Sequence, residues 1–570
     1  MIWSPEVDFR NHHTYEINRP LFLAMVMKNH KIEKWGVPFL VVFIIRLITV
    51  LYFNYISSLQ NAVSEVGYFY SLDEDTMEYI LPWENLARQG IYSLDGVSPY
   101  AGRSPFVGLP YFIFWLLFGK RVAFELVALL QILLSSIATV AVALLAKKIY
   151  ENKLKGKIIS SSSVFWGVII FSSLSTYISF YDSAILSDSV SNSSLCLFLF
   201  YYYRYLSGSP SNKNLLLSGI FLAMSSLWRP YFVLLYLPAI IGICFYHYKK
   251  AMKNLLFLIK HLISRELTSK ILTFIIPLLL MDTPWIIRNI LTFREPIIFY
   301  QTKSFFTPDH SDAYVAYARF VNNMGESSLY WNTSSFACYF HPHTRPINCK
   351  FDLSSMDLGP NLTKEKIEKA RLLFKYHLEN RKDLLAEKIL INYFDYLYEC
   401  YKQDHPLTYW IIPYPKKVRN FIVHSGAEHF PMARTSNFYN PLIYYGTKIP
   451  IAGMYWLMLI LGFIGCFYVY RIDKKAFMVC IIPFFLIIFI CFVAKFDEYR
   501  YFLQAYQPMI LCLNIFLVSL ISKIIEKSGK YVKNFDFNTQ KSIFLKKKLI
   551  MQNYLIWFII EAIYYEVKEI

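Results

Sequence analysis

The chain has 570 residues, 55% of them hydrophobic and 18% aromatic, and a formal net charge of +18; its mean hydropathy is +0.35. The apolar excess comes in long blocks, which excludes an ordinary water-soluble globule and points to a membrane protein. The basic excess would suggest nucleic acid in a soluble chain, but here Lys and Arg collect between apolar blocks, form no single stripe and accompany no nucleic-acid motif. Membrane lipids are therefore the expected partner and nucleic acid is not.

Residues 1–36 carry scattered charge and no apolar core followed by a small-residue cleavage site, so they read as a cytoplasmic N-terminus without a removable signal peptide. Apolar runs of the roughly 17–25 residues needed to cross a bilayer follow at 37–57, 122–146, 160–180, 189–206, 214–229, 231–247, 269–287, 450–470, 476–494 and 502–522. Lys28, Lys31 and Lys34 place the N-terminus inside, and the lysines at 147–157, the basic loop from Lys249 to Arg265, the cluster Arg471, Lys474 and Lys475, and the tail lysines 546–548 mark the other inner segments. This pattern closes only if the short run 105–118 does not cross. Bounded by Pro105 and Gly119, it is expected to be a juxtamembrane helix on the outer surface.

The expected architecture is all-α and polytopic, with about ten transmembrane helices, outer juxtamembrane helices and one large extracytoplasmic loop of mixed structure. A transmembrane module fills 37–290 and includes the outer loop 58–121; the large loop runs 291–448, with a helix over Lys364–Tyr401; further transmembrane helices fill 449–522. The basic tail 523–570 is cytoplasmic, and Leu549–Tyr565 reads as an interfacial helix, with an eleventh span as the alternative, because Glu561 interrupts it. Six cysteines inside apolar runs read as small buried hydrophobes. Cys338 and Cys349, in the outer loop, are close enough in sequence to form a disulfide in an oxidising compartment. No CxxC pair suggests zinc. Asn332-Thr333-Ser334 and Asn361-Leu362-Thr363 are glycosylation sequons if the pathway is eukaryotic.

The stretch "DEDTMEYILPWENLARQG", Asp73 to Gly90, stands out because it concentrates five carboxylates beside the membrane. Ser71-x-x-Glu74 reads as a capping box that opens a helix just before Asp73. Asp75, Glu78 and Tyr79 would share one face of it, Pro82 would kink or restart it, and Gly90 would end it. Taken alone, the stretch is a solvated loop. Other polar groups stand at outer span ends, however: Asp188 in "ILSDSV", Arg229 in "LWRPYF", Arg288 in "PWIIRN", Arg103 in "AGRSPF", and Lys495, Asp497, Glu498 and Arg500 in "KFDEYRYF". Each singly is an interfacial anchor. Together they supply carboxylates to take a proton from an acceptor hydroxyl and guanidinium groups to hold an anionic leaving group.

Several of these patterns, in this order, resemble the GT-C superfamily of polytopic glycosyltransferases, in the branch that includes protein O-mannosyltransferases and the lipid A aminoarabinose transferase. "DTMEYILPWENLARQGIYS" is similar to the family's first-loop pattern, "RSPFVGLPYFIFWLLFG" to its juxtamembrane helix, "ILSDSV" to its second acidic position, "PWIIRN" to the approach to the large outer loop, and "EYRYFLQAYQP" to its late span. The resemblance covers about the first 300 residues and the last 80. It implies Asp75 as catalytic base with Asp73 as rival, Asp188 as the second acidic residue positioning acceptor or metal, and Arg103, Arg288, Arg500 and, less closely, Arg229 against the lipid phosphate or sugar, with Tyr79 and Glu78 lining the same site.

The expected function is transfer of a sugar, with inversion, from a polyprenyl-phosphate donor to a glycan, lipid or protein acceptor on the outer face of a bacterial plasma membrane, or of the endoplasmic reticulum as the alternative. No cofactor is required in this reading, or a divalent cation held by Asp75 and Asp188. The alternatives are a transporter or flippase of lipid-linked sugars and an O-antigen-type polymerase or ligase. A transporter would bury charge at mid-membrane, and Arg46 is the charge that stands apart from the surface cluster.

Overall fold

The computed structural model describes residues 30–60, 66–72, 75–154, 159–208, 211–247, 264–299, 312–323, 358–380, 383–411, 413–424, 441–494 and 499–533. Among these residues the secondary structure is helical. The only β features are two isolated bridges, Val66 with Ser71 and Ser71 with Ala184. The first part contains α1 (His30–Gln60), α2 (Thr76–Gln89), α3 (Leu109–Phe118), α4 (Lys120–Lys153), α5 (Ser161–Ser173), α6 (Thr176–Ser183), α7 (Asp188–Ser207), α8 (Asn212–Trp228), a 3-10 turn (Pro230–Leu235), α9 (Tyr236–His247) and α10 (Arg265–Phe293). Then come α11 (Asp312–Asn323), α12 (Lys364–Glu379), α13 (Leu384–Asp404), α14 (Pro406–Trp410) and α15 (Pro413–Ile422). The last part is α16 (Pro441–Ile472), α17 (Lys474–Phe489), a 3-10 turn (Tyr499–Phe502) and α18 (Leu503–Lys533).

All ten expected apolar runs fall on helices, but the count of ten spans is not reached on length and apolarity. Among the described residues seven helices are long and apolar enough to cross a membrane: Trp35–Leu59, Lys120–Lys153, Pro230–His247, Arg265–Phe293, Tyr444–Ile472, Lys474–Phe492 and Arg500–Glu526. An eighth is counted if α5 and α6, bent by 55°, form one broken span. The break has a local cause: Leu174 ends α5, and the Ser175 side chain accepts from the Ile178 amide and restarts the chain as α6. α7 and α8 are below the measure. α7 opens with Asp188, Ser189, Ser191, Asn192, Ser193 and Ser194, all buried. A helix enclosed by other helices has no need of lipid-facing apolar groups. α7 packs against α8, α4, α17 and α18 at the centre of the bundle.

Close helix approach uses glycine where it is needed. A Cβ on Gly219 of α8 would lie 2.3 Å from the Phe274 carbonyl oxygen of α10, and one on Gly465 of α16 would lie 2.5 Å from the Cys512 carbonyl oxygen of α18. Small residues at such crossings let helix backbones touch.

α3 has ten residues, about 15 Å at the helical rise, too short to cross as an α-helix, in keeping with the expected short run bounded by Pro105 and Gly119. α2 differs from the expected helix at its start. It begins at Thr76 with Asp75 at the N-cap position, not before Asp73. Ser71 is engaged otherwise: its amide donates to the Ser183 carbonyl at 3.0 Å, and its carbonyl accepts from the Ile185 amide at 3.1 Å. Pro82 is accommodated within one continuous helix, and Gly90 ends it in the left-handed region, at φ 76°, with its amide on the Leu86 carbonyl at 3.0 Å. Asp73 and Glu74 lie outside the described residues.

The large loop was expected to be of mixed structure; its described part is helical. The single helix expected over Lys364–Tyr401 is described as two. α12 ends at Glu379, and the Asp383 side chain accepts from the Leu385 and Ala386 amides to open α13. α11, α12 and α13 share a core of their own, including Tyr317, Phe320, Phe374, Phe394 and Leu397. Cys338, Cys349, Asn332 and Leu549–Tyr565 lie outside the described residues.

Candidate active site

Four helix ends converge: the start of α2, the start of α7, the end of α8 and the 3-10 turn before α18. Asp75, the N-cap residue of α2, is held from two sides. Arg500 Nη1 donates to Asp75 Oδ2 at 3.0 Å and Arg103 Nη2 to Oδ1 at 3.4 Å. Arg103 Nε donates to Glu78 Oε2 at 2.7 Å, and its guanidinium lies 5.0 Å from the Tyr79 ring centroid. Asp75, Glu78 and Tyr79 therefore present one face, as their spacing predicts, and Arg103 covers it. The Asp75 side chain is 28% exposed and that of Arg500 21%.

A second pair adjoins the first. Asp188, the first residue of α7, accepts from Arg229, at the end of α8. Arg229 Nε also donates to Ser187 Oγ at 3.0 Å, and its Nη1 to the Tyr231 hydroxyl at 2.8 Å. The Tyr79 hydroxyl is 3.4 Å from Ser187 Oγ, which links the two pairs. The Arg229 guanidinium lies 5.1 Å from the Tyr501 ring, and Gln504 Nε2 donates to Tyr231 at 2.7 Å. α15 packs against the 3-10 turn that carries Arg500, with Phe421 stacked on Tyr501.

Electrostatics separate the two carboxylates of the first pair. Burial acts to raise Asp75, but Arg103, Arg500 and Arg229 outweigh it and hold the carboxyl below its ordinary value. Burial and the neighbouring Asp75 charge push Glu78 above its ordinary value, against the pull of Arg103. Asp75 is the group that stays ionised, and Glu78 the one that takes up a proton first on acidification.

The remaining expected residues fall elsewhere. Arg288 does not join the cluster. Its Nη1 donates to the Tyr100 carbonyl at 2.9 Å and its Nη2 to the Tyr92 carbonyl at 3.3 Å, and its guanidinium is flanked by Trp285, Tyr92 and Phe293. It ties α10 to the loop between α2 and α3. Glu84 faces away from Asp75, accepting from the Tyr111 hydroxyl at 2.7 Å and lying 3.2 Å from Lys120. It anchors α2 on α3 and α4. An open depression of about 360 Å³ near the start of α4, lined by Val66, Tyr70, Lys120 and Arg121, does not include the cluster. Lys495, Asp497 and Glu498 lie outside the described residues.

Among the described residues the donor set does not fit a divalent cation. Among the described residues no three His, Cys, Asp or Glu side chains group as metal ligands. Asp75 and Asp188 each face guanidinium groups, which repel a cation.

The sequence reading did not single out Ser187, Tyr231, Tyr501 or Gln504, although each lies within four residues of a residue that it did. It also missed Asp182. Arg46 Nη1 donates to Asp182 Oδ2 at 2.5 Å, with both side chains at most 1% exposed. Arg46, a charge inside an apolar run, was the available signal, and Asp182 lies just past the end of another run.

Comparison with protein-family models, with curated proteins and with solved structures returned no match.

Proposed function

We propose that the protein is a multi-pass membrane glycosyltransferase of the GT-C kind, which moves a sugar from a polyprenyl-phosphate donor to an acceptor hydroxyl of an envelope glycan, lipid or protein. The observation that carries this reading is the contact between Asp75 and Arg500. They are 425 residues apart in sequence, and they meet beside Arg103 and next to the Asp188–Arg229 pair. The described site candidates that suggested the family thus form one cluster, Arg288 excepted. In this reading α7 and α8 also cross the membrane, which gives ten spans with both ends inside and the cluster at the outer face of a bacterial plasma membrane.

Arg500 and Arg103 offer the charge-assisted donors that a phosphate accepts. A lipid phosphate arriving at Arg500 competes with Asp75 for the guanidinium and loosens the carboxylate. Asp75 then takes the proton from the acceptor hydroxyl as its oxygen attacks the anomeric carbon. The carbon–oxygen bond to phosphate breaks, and its electron pair leaves with the polyprenyl phosphate. Because the phosphate leaves as a stable anion, no general acid is required. Tyr79 and Glu78 orient Arg103.

The test is transfer of labelled sugar from a panel of polyprenyl-phosphate sugars by the purified chain in nanodiscs. Formation of a new glycosidic bond is expected. A second reading, a transporter of lipid-linked sugars, is favoured by one observation, the buried Arg46–Asp182 pair. It predicts movement of labelled donor across a proteoliposome membrane without a new bond.

A further inference from the structure

The Arg46–Asp182 pair is wired to the segment on which both cluster carboxylates rest. The Arg46 guanidinium reaches three elements besides its own. It donates to Asp182 at the end of α6, to Ser135 and Thr139 on α4, the latter at 2.7 Å, and to the Ser172 carbonyl of α5 at 3.5 Å. It sits where the broken α5–α6 unit bends. Asp182 uses its other oxygen: Ser189 Oγ, in the first turn of α7, donates to Oδ1 at 2.6 Å. Gln131 of α4 braces the same stretch from outside, donating to the carbonyls of Asp182 at 3.1 Å and Ala184 at 2.8 Å.

Residues 183–188 form the resulting platform. The acidic loop docks on it through the paired backbone bonds between Ser71 and Ser183 and Ile185, and through the Thr76 hydroxyl, which donates to the Ile185 carbonyl at 3.1 Å. Thr76 is adjacent to Asp75. Asp188 is the last residue of the same platform, and Ser187 touches both Arg229 and Tyr79. A return path closes the circuit. Gln507 of α18 donates to Thr139 at 3.4 Å, and Gln504, one turn earlier, holds Tyr231 beside Arg229.

A buried ion pair is a poor way to gain stability, because apolar residues of similar volume serve as well or better; its best-attested use is to specify one arrangement among alternatives. We infer that Arg46 and Asp182 are positioning residues that fix the 183–188 platform and thereby set Asp75 and Asp188 relative to one another. This deepens the transferase reading and rests on it for the catalytic consequence, but not for the structural one.

The experiment uses the full chain in nanodiscs and two readouts, amide hydrogen exchange and sugar transfer. The double substitution R46L/D182L removes both charges and leaves none stranded. It is expected to speed exchange at 71–79 and 183–190 at least ten-fold, with no change in α11–α13, and to lower kcat ten- to hundred-fold with donor KM nearly unchanged. Ser189→Ala, which removes one hydrogen bond, is expected to speed exchange at 183–190 and lower kcat several-fold at an unchanged melting temperature. It decides the matter if the double variant does not fold. Unchanged exchange at both segments would overturn the inference, as would equal acceleration throughout the bundle, which would make the pair a stabiliser only. If the wild-type chain transfers no sugar, the transferase reading fails, while the exchange data still decide whether the pair positions the platform.

Discussion

Asp75 has two guanidinium neighbours and is held low, while Glu78, one turn away, is pushed up. For a carboxylate base, activity disappears as pH falls through its pKa. Arg103 is the largest of the influences that lower Asp75, so Arg103→Leu removes part of that hold and raises the pKa. The acid limb of the rate profile is expected to move to higher pH in Arg103→Leu, as measured by transfer across a pH series at saturating donor. An unmoved limb would mean that Arg103 does not face the titrating group. At this scale the sequence was informative about identity and poor about partnership. The i, i+3, i+4 spacing of Asp75, Glu78 and Tyr79 placed them on one face. Nothing in "PWIIRN" distinguished Arg288, which is spent on two carbonyls of a neighbouring loop, from Arg229 in "LWRPYF", which binds Asp188. Both are arginines at the end of an apolar run, and only the packing of the helices assigns them.

Among the elements, α15 and the residues after it close one side of the cluster. His424 is buried among Tyr177, Tyr455 and Phe502, 2.8 Å from the Tyr455 hydroxyl, whose proton goes at 2.7 Å to the Ile422 carbonyl. Burial pushes the imidazole down to about 4 from an ordinary 6.5. A base depressed by folding binds its proton more readily in the detached state, so its contribution is complete above 6.5 and is lost as pH falls from there towards 4. The segment 413–424 is expected to loosen over that window and His424→Phe to hold it in place, as read by limited proteolysis or amide exchange in detergent. Unchanged protection in the wild-type chain down to pH 4 would contradict this. Helix existence was legible in the apolar runs, because blocks of membrane length admit little else, but not for α11, α14 and α15 of the large loop, which carry no such block. Helix starts were less so. The Ser71-x-x-Glu74 pattern fits a cap, but the Ser71 backbone is taken by residues 183–185, a partner more than a hundred positions away.

At the scale of the molecule, the seven helices among the described residues that are apolar enough to cross a membrane, or eight with the broken pair, make this a multi-pass membrane protein in composition and length. The count of ten includes α7 and α8, which fall below the measure of length and apolarity. α7 shows why that measure fails: a central helix can be long, buried and rich in serine, because its neighbours and not lipid surround it. The lysine pattern predicts the orientation. Single cysteines introduced near Asp95 and Lys369 are expected to react with an impermeant maleimide in intact cells, and one near Lys153 only after permeabilisation. Labelling of the last from outside would invert the topology and put the cluster on the wrong face.

The most direct test of the whole account is the behaviour of Asp75→Asn, which keeps the size and planarity of the side chain but removes its charge and proton-accepting strength. Transfer of labelled sugar and binding of the polyprenyl-phosphate donor are measured on the same nanodisc preparation. The account predicts a turnover lower by roughly 10²–10⁴-fold, the usual contribution of a positioned general base, with donor binding retained, whereas Arg500→Ala weakens donor binding. Wild-type turnover in Asp75→Asn would contradict it, and loss of transfer in Asp73→Asn alone would move the base to that residue.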